Sequence, residues 1–407
     1  MDSTAGGLIT MPLLNTAAPI KLRLNRDLAR TIKRGHPWVY AEALRDFPRA
    51  PAGSPAVLMD NRKGQPVAVG MYDPNSPLAF RVCDTDGEAN LDDRWAENRL
   101  RKAYELRRAL FDSQTTGYRL VNGEGDSTPG LVIDRYGDTA VLKLDGAGPC
   151  GFWNAEGIAD WLKNHASIKT VYERRKERGR EGRVLVGEEP RQPVEFLERG
   201  LKFTADIVHG QKTGFFLDQR DNRHLIRSLA QGRSVVNLFS YTGGFSIAAG
   251  IGGASQVTTV DLAQPAVTAA HDHWILNGLD PSAHEPIATD AFQFLSQAGS
   301  RKRRWEITIV DPPSFAPNHE SVSRATAAYQ TLICGGARLT SSGGLLAAAS
   351  CSSHIDLEMF LKICEEGISE ARRRATVVSI QGQPPDHPSP LALPEFRYLK
   401  FVLLRLD

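Results

Sequence analysis

What this 407-residue sequence lacks narrows its class before any motif is read. No apolar run approaches the 18 or more residues that a membrane-spanning helix needs. The first twenty residues carry no lysine or arginine, and Pro12 interrupts their short apolar stretch, so a secretory signal would be missing both its basic start and its apolar centre. A cytoplasmic protein is expected. Cysteine is scarce: Cys83, Cys150, Cys334, Cys351 and Cys364 are an odd number, widely spaced and without a C-x-x-C pair, which argues against a disulfide framework or a zinc site. Histidine suggests no metal either, because His271 and His273 lie two apart on an expected helix and face different ways. Net charge is nearly absent, at +2 from 49 basic and 47 acidic residues, and taken whole it gives no reason to suspect nucleic acid.

What is present is the composition of an ordinary globular protein, 41% apolar and 24% charged, long enough for two or three domains at roughly 150 residues each. Residues 1–20 read as a flexible tail. Residues 21–90 have the texture of short strands and turns, with a polar turn at 60–66 ahead of the apolar stretch 67–72. A helix is expected over 92–111, where Trp95, Leu100, Ala103, Leu106 and Leu110 recur at helical spacing. It opens a small central α/β unit, 91–205, with two strands within 130–143, a helix near 154–164, a strand over 169–173 and further strand over 195–206. From 206 to 407 strands alternate with long helices, which predicts a mostly parallel, doubly wound α/β sheet. Its strands are expected at 234–239, 256–260, 307–310, 344–349, 375–380 and 397–405, and its helices near 243–249, 263–277, 321–339 and 355–371.

Ligands of such sheets bind outside the carboxyl ends of the strands, so the strand ends are where chemistry is sought. After the first strand comes Phe239-Ser240-Tyr241-Thr242-Gly243-Gly244, a turn whose glycines permit positive φ and close backbone approach. The second strand ends in Asp261 and Leu262, 17 and 18 residues past Gly244, where an acid can accept from a ribose diol. After a third strand, Asp290-Ala291-Phe292 suits an adenine. The turn lacks both G-x-G-x-x-G and a G-x-x-x-x-G-K-[ST] loop, so a pyrophosphate or triphosphate is poorly supported. S-adenosylmethionine has a ribose and no phosphates. Singly, these residues read as a tight turn and two helix caps; in register, they favour this cofactor.

Two further strand ends carry reactive groups. Asp311-Pro312-Pro313-Ser314 holds a carboxylate on stiff, extended chain, able to grip a planar base by its polar edge or to act merely as a turn residue. Ser350-Cys351-Ser352 places a cysteine at a strand tip, where a thiolate can act as a nucleophile. The other four cysteines read as buried and inert. A thiolate, an acid and a methyl donor together suit carbon 5 of cytosine, which becomes nucleophilic only after addition at carbon 6; methylation of a ring nitrogen would need no cysteine.

The chain also resembles a known family, through Arg34-Gly35-His36-Pro37-Trp38-Val39-Tyr40, Val121-Asn122-Gly123-Glu124-Gly125-Asp126, the segment 129–138 and, most specifically, Gly210-Gln211-Lys212-Thr213-Gly214-Phe215-Phe216-Leu217-Asp218-Gln219-Arg220. It is similar to the ribosomal RNA large subunit methyltransferase I family, from about Lys21 onward. The resemblance implies an N-terminal PUA domain (21–90), the central domain (91–205), a Rossmann-like methyltransferase domain (206–407), S-adenosylmethionine as cofactor and a cytosine of 23S rRNA, free or in a large-subunit precursor, as substrate. It implies that Gln219 and Arg220 lie at the cofactor site, Arg220 meeting the methionine carboxylate. Many RNA cytosine-5 methyltransferases carry a second cysteine directly after the Asp-Pro-Pro motif; here that place holds Ser314. Relatives of this architecture include guanine N7 methyltransferases, and a non-catalytic assembly factor is the reading from another class. A homodimer is left open.

Segment by segment, the charge is uneven. Residues 21–49 hold eight basic and three acidic residues, +5, and Arg23, Arg26, Lys33 and Arg34, together with Lys212, are the candidates for phosphate contact. Tyr40 and Trp38 could stack on bases, although core packing suits Trp38 better. Further basic runs lie at 174–183 and 301–304.

Overall fold

A computed structural model of the chain describes residues 11–15, 17–175, 182–316 and 318–407. Most of the expected tail and the centre of the 174–183 basic run fall outside them. The chain forms two compact units, one of residues 1–199, 204–217 and 385–396, the other of 200–203, 218–384 and 397–407.

The first unit begins with a five-stranded sheet built from β1 (Ile20–Arg23), helix α1 (Ala29–Lys33), β2 (Trp38–Val39), β3 (Ser54–Met59), β4 (Pro66–Tyr72) and β5 (Phe80–Asp84), in the order β1-β3-β4-β5-β2. Strand β3 alternates buried and half-buried residues, as a strand with one covered face must, while β4 at the centre is buried nearly throughout. A second five-stranded sheet follows α2 (Asp93–Leu110). It comprises β6 (Gly117–Asn122), β7 (Leu131–Tyr136), β8 (Thr139–Leu144), then α3 (Ala147–Phe152), α4 (Ala155–Ala166), β9 (Thr170–Glu173) and β10 (Arg183–Val186), in the order β10-β9-β8-β7-β6. Where a loose tail was expected, Leu13 and Leu14 are buried in this core, and the Asp93 carboxylate accepts from both of their amides.

The apolar stripe expected on α2 is also corrected. Leu106 and Leu110 are exposed, and the buried face is Ala96, Leu100, Ala103 and Arg107. The guanidinium of Arg107 takes a core position because every direction around it offers an acceptor: both oxygens of Asp126 (2.6 and 2.7 Å) and the carbonyls of Arg119 (2.8 Å) and Asp386 (2.7 Å). A second buried carboxylate, Glu124, accepts from the Trp38 indole (2.8 Å) and from Arg81 (2.5 Å), tying the first sheet to the second.

A hairpin of β11 (Val194–Glu198) and β12 (Leu201–Ala205), read from sequence as one strand, turns at Arg199 and Gly200. The second unit then contains α5 (Arg220–Leu229), β13 (Ser234–Leu238), α6 (Gly244–Ile251), β14 (Gln256–Asp261), α7 (Gln264–Leu276), β15 (His284–Ala288), α8 (Ala291–Ser300), β16 (Trp305–Val310), α9 (Val322–Leu339), β17 (Thr340–Ser350), α10 (Leu357–Glu370), β18 (Ala375–Gln381) and β19 (Lys400–Leu406). The sheet order is β15-β14-β13-β16-β17-β19-β18, parallel except for β19. This is the doubly wound α/β sheet that the alternating pattern predicts, with helices α5 and α8 in addition. No helix among the described residues is long and apolar enough to cross a membrane.

Removing one member of a buried ion pair leaves the other charge uncompensated, at a cost of about 3–5 kcal/mol. Arg107→Ala should lower the unfolding free energy of the first unit by about that amount, seen as a reduced urea midpoint; an unchanged midpoint would show that Asp126 finds another partner.

Candidate active site

Strand β13 pairs in parallel with β14 on one side and β16 on the other, so the chain crosses over in opposite directions from it and a crevice opens at its carboxyl end. The loop leaving β13 is strained. Phe239 (φ 57°) and Tyr241 (φ 48°) both occupy the left-handed region, at a cost on the order of 1–3 kcal/mol each. Three bonds hold the loop there: the Ser240 amide donates to the Val260 carbonyl (3.0 Å), the Tyr241 amide to Asp261 Oδ2 (2.8 Å), and His273 Nδ1 to the Thr242 carbonyl (2.8 Å). Gly243 (φ 79°) ends it, and a Cβ there would stand 2.6 Å from Ala270 Cβ, so only glycine lets α7 pack this close. Gly244 is the first residue of α6.

Within this loop the Thr242 hydroxyl is buried and has no hydrogen-bond partner, a polar atom left for a ligand. Next to it, Asp261 spends one lone pair on each of the Tyr241 and Ala263 amides and keeps the remainder of its acceptor capacity. Asp290 caps α8, its Oδ1 accepting from the Gln293 amide at 3.0 Å. Apolar side chains stand exposed beside both acids, Leu262 (73% exposed) and Phe292 (37%), whereas Ala291 is buried. Strands β14 and β15 are neighbours, so the two acids and the two apolar groups follow adjacent strand ends. A purine nucleoside combines polar edges with apolar faces, and these residues fit the adenosyl half of S-adenosylmethionine.

A hydrogen-bonded chain from α5 reaches the next strand end. Asn222 Nδ2 donates to Gln219 Oε1 (2.5 Å), and Gln219 Nε2 donates to Asp311 Oδ2 (2.9 Å), which orients the carboxylate at the tip of β16. Asp218 accepts from the Tyr398 hydroxyl at 2.7 Å. Arg220 is fully buried, with its Nε 3.7 Å from Asp221 Oδ1. His273 and Tyr398 were not legible from sequence because each acts through a residue distant in sequence, and Asn222 because its neighbour Gln219 meets Asp311 only in the fold.

At the tip of β17, Cys351 is half-buried between two fully buried serines. Those serines belong to a hydroxyl web. Ser350 Oγ donates to Tyr329 OH (3.1 Å), Ser352 Oγ lies 3.1 Å from both Tyr329 OH and Ser314 Oγ, and the Ala316 amide donates to Ser352 Oγ (3.3 Å). The web stitches the loop after Asp311 to the loop holding Cys351, and register sets them side by side: Val310 is opposite Ala348. Burial raises the Tyr329 phenol, which therefore stays neutral. Of the cysteines expected to be inert, Cys83 and Cys334 have thiols raised by burial and Cys364 is pushed up to about 12, but Cys150 is exposed. No cluster of metal-ligating side chains occurs among the described residues.

The RNA candidates lie on the first unit. Lys33 and Arg34 are exposed at the end of α1, Arg23 donates to the Arg62 carbonyl (3.4 Å), and Arg26 pairs with Glu42 (3.1 Å). Lys212 sits over the Phe216 ring at 4.3 Å. The Trp38 ring is engaged by Glu124 and, edge-on, by Phe396, which fits core packing; Tyr40 is exposed.

Residues 160–400 match a family model described as S-adenosylmethionine-dependent methyltransferase, and residues 22–85 match a PUA-like domain. The chain is 36% identical over 405 residues to a ribosomal RNA large subunit methyltransferase of Deinococcus radiodurans (97% of this chain, 99% of the relative) and 35% identical to ribosomal RNA large subunit methyltransferase I of Aeromonas salmonicida (92% and 96%). Among solved structures, a protein of Streptococcus mutans assigned as a SAM-dependent methyltransferase superposes with a TM-score of 0.82 at 26% identity, covering 95% of this chain and all of that one. Another assigned methyltransferase, complexed with SAH, gives 0.84 at 26% identity with the same coverage. With a family model matched over residues 160–400 and relatives aligned from end to end, the chain belongs to the ribosomal RNA large subunit methyltransferase I family of S-adenosylmethionine-dependent methyltransferases.

Proposed function

We propose that the protein methylates carbon 5 of a cytosine in 23S rRNA through a transient bond to Cys351. The observation that carries this reading is a half-exposed cysteine at the tip of β17, tied by buried hydroxyls to the loop that follows Asp311. The names of the relatives supply the substrate class. In the proposed layout residues 21–90 form the PUA domain, 91–205 the central domain and 206–407 the methyltransferase domain.

S-adenosylmethionine, when bound, supplies an electrophilic methyl group. Asp261 would accept from the ribose, Leu262, Ala291 and Phe292 would border the adenine with Asp290 at its polar edge, and the 239–244 loop, Gln219 and Arg220 would line the remainder. Asp311 holds the N3 edge of the base and lends it a proton. The Cys351 thiolate forms the S–C6 bond, and the C5=C6 electron pair shifts so that carbon 5 becomes the nucleophile of an enamine. After methylation a base removes the carbon 5 proton, its electron pair restores C5=C6, the S–C6 bond breaks, and the N3 proton returns to Asp311. Arg23, Arg26, Lys33, Arg34 and Lys212 would meet phosphates, which makes RNA binding weaken with salt.

Cys351→Ala should abolish methyl transfer to bare 23S rRNA while S-adenosylmethionine still binds by calorimetry. Mass spectrometry of digested product from the unaltered protein should show 5-methylcytidine. A fully active variant, or N7-methylguanosine as the product, rejects the reading. Asp261→Ala removes a charge-assisted acceptor worth about 1.5–3 kcal/mol, so the Kd for S-adenosylmethionine should rise between about tenfold and a hundredfold. Asp261→Asn, which keeps an acceptor for the Tyr241 amide, should be milder; a Kd unchanged in both variants removes Asp261 from the cofactor site.

A further inference from the structure

The second unit contains a buried cation that the cofactor site does not use. Lys400 is the first residue of β19, the strand antiparallel to β17, and its register partner is Ser350. It therefore stands beside the strand tip that carries Cys351. Only 5% of its surface is exposed. Its ammonium donates to the carbonyl of Ser352 at 2.6 Å and to that of Tyr398 at 2.7 Å, so Nζ is clamped against the turn from 350 to 352. Lysine is almost never this buried unless its charge is paired, and two neutral carbonyls use two of its three donors. The negative charges it senses are those of the Cys351 thiolate and the Asp356 carboxylate.

We infer that Lys400 is a positioning residue for Cys351, its clamped ammonium stabilising the thiolate that adds to the base. The inference rests on the role proposed above for Cys351. The groups around the sulfur come from several elements. Asp356 at the start of α10 opposes a thiolate, whereas Asp311 at the tip of β16, which in the proposed reaction carries the proton it lends to the base, does not. Tyr329 on α9, which senses both Cys351 and Asp311, is kept neutral by burial. His354 lies three residues further along the loop. Lys400 brings a buried ammonium to this set. Interaction between two titrating groups is reciprocal, so the thiolate that favours the ammonium is favoured by it equally. Burial lowers the lysine to about 8, which leaves the ammonium in place at neutral pH and removes it as pH rises through that value. Assistance to the thiolate is thus present below about 8 and fades above it.

The test is the pH profile of Cys351 alkylation by iodoacetamide on the full chain, followed on the Cys351 peptide by mass spectrometry so that exposed Cys150 does not interfere. In the unaltered protein the profile should have its midpoint below the ordinary cysteine value of about 8.5; a midpoint at or above that value overturns the inference whether or not any variant folds. Lys400→Met should move the midpoint up by about one pH unit, so that alkylation at pH 7 slows about tenfold, with a matching fall in kcat and an unchanged KM for S-adenosylmethionine. Lys400→Arg should retain most of the reactivity. A Lys400→Met profile superimposable on that of the unaltered protein also overturns it. The two readings fail separately: an active Cys351→Ala variant rejects covalent catalysis and leaves the alkylation profiles as they are, whereas an inactive Cys351→Ala variant with an unshifted Lys400→Met profile rejects Lys400 alone.

Discussion

The parallel pairing of β13 with both β14 and β16 is the constraint on which the second unit depends. Parallel strands deliver all of their exit loops to one edge of the sheet, and the crossovers diverge at β13, so that edge opens where the strand order reverses. Asp261, Asp290, Asp311 and Cys351 follow from four different strands yet share that edge because every strand runs the same way. The antiparallel strand obeys the same geometry in reverse. Since β19 enters where the others leave, its first residue, Lys400, lands at the tip of β17 without any loop to carry it. A rigid sheet, and not a flexible loop, therefore sets the spacing of the groups assigned to chemistry.

The cost of this arrangement falls on the β13 loop and on buried polar groups. Two non-glycine residues in the left-handed region persist only because Asp261 and His273 pin the intervening backbone. Asp261 consequently has two duties, holding the loop and facing the proposed ribose, and loop geometry and cofactor binding cannot vary independently. The hydroxyl web works similarly: Tyr329, Ser350 and Ser352 are buried, Ser314 joins them from the exposed loop after Asp311, and each finds its partner in a separate element. Displacing one of them would shift the carboxylate loop relative to the cysteine loop, the two parts that meet one base in the proposed reaction.

Sequence reading located the strand ends well and the buried polar residues badly, for one physical reason. Turn glycines, Asp-Pro-Pro and a cysteine flanked by serines are local signals, whereas a polar side chain enters a core only when distant chain supplies its partners. Helix α5 escaped notice because its buried face is Arg220, Asn222, Arg223 and Ile226, with little apolar period to find. On α2 the same effect assigned Leu106 and Leu110 to the core position that Arg107 holds. The conspicuous run from Asn122 to Asp126 is absorbed by architecture: Glu124 binds Trp38 and Arg81, Asp126 binds Arg107, and Asn122 donates to the Pro388 carbonyl. Lys400 falls within the expected strand 397–405, and nothing near it in sequence reveals that β19 is antiparallel.

Charge shows most clearly what counting residues misses. A balance of +2 over the chain says little, and the +5 over residues 21–49 says too much, because an arginine held by a carboxylate offers a phosphate less than its formal charge. Arg26 is paired with Glu42, while Arg81, Arg107 and Arg119 of the same unit are committed to Glu124, Asp126 and Asp134. What remains outward on the first sheet is led by Lys33 and Arg34 at the end of α1. Each phosphate neutralised adds about 0.9 to the steepness with which duplex affinity falls with salt, and about 0.7 for single strands. The salt slope of RNA binding therefore measures how many of these cations are available, a number set by the ion pairs of the fold and not by the composition of the segment.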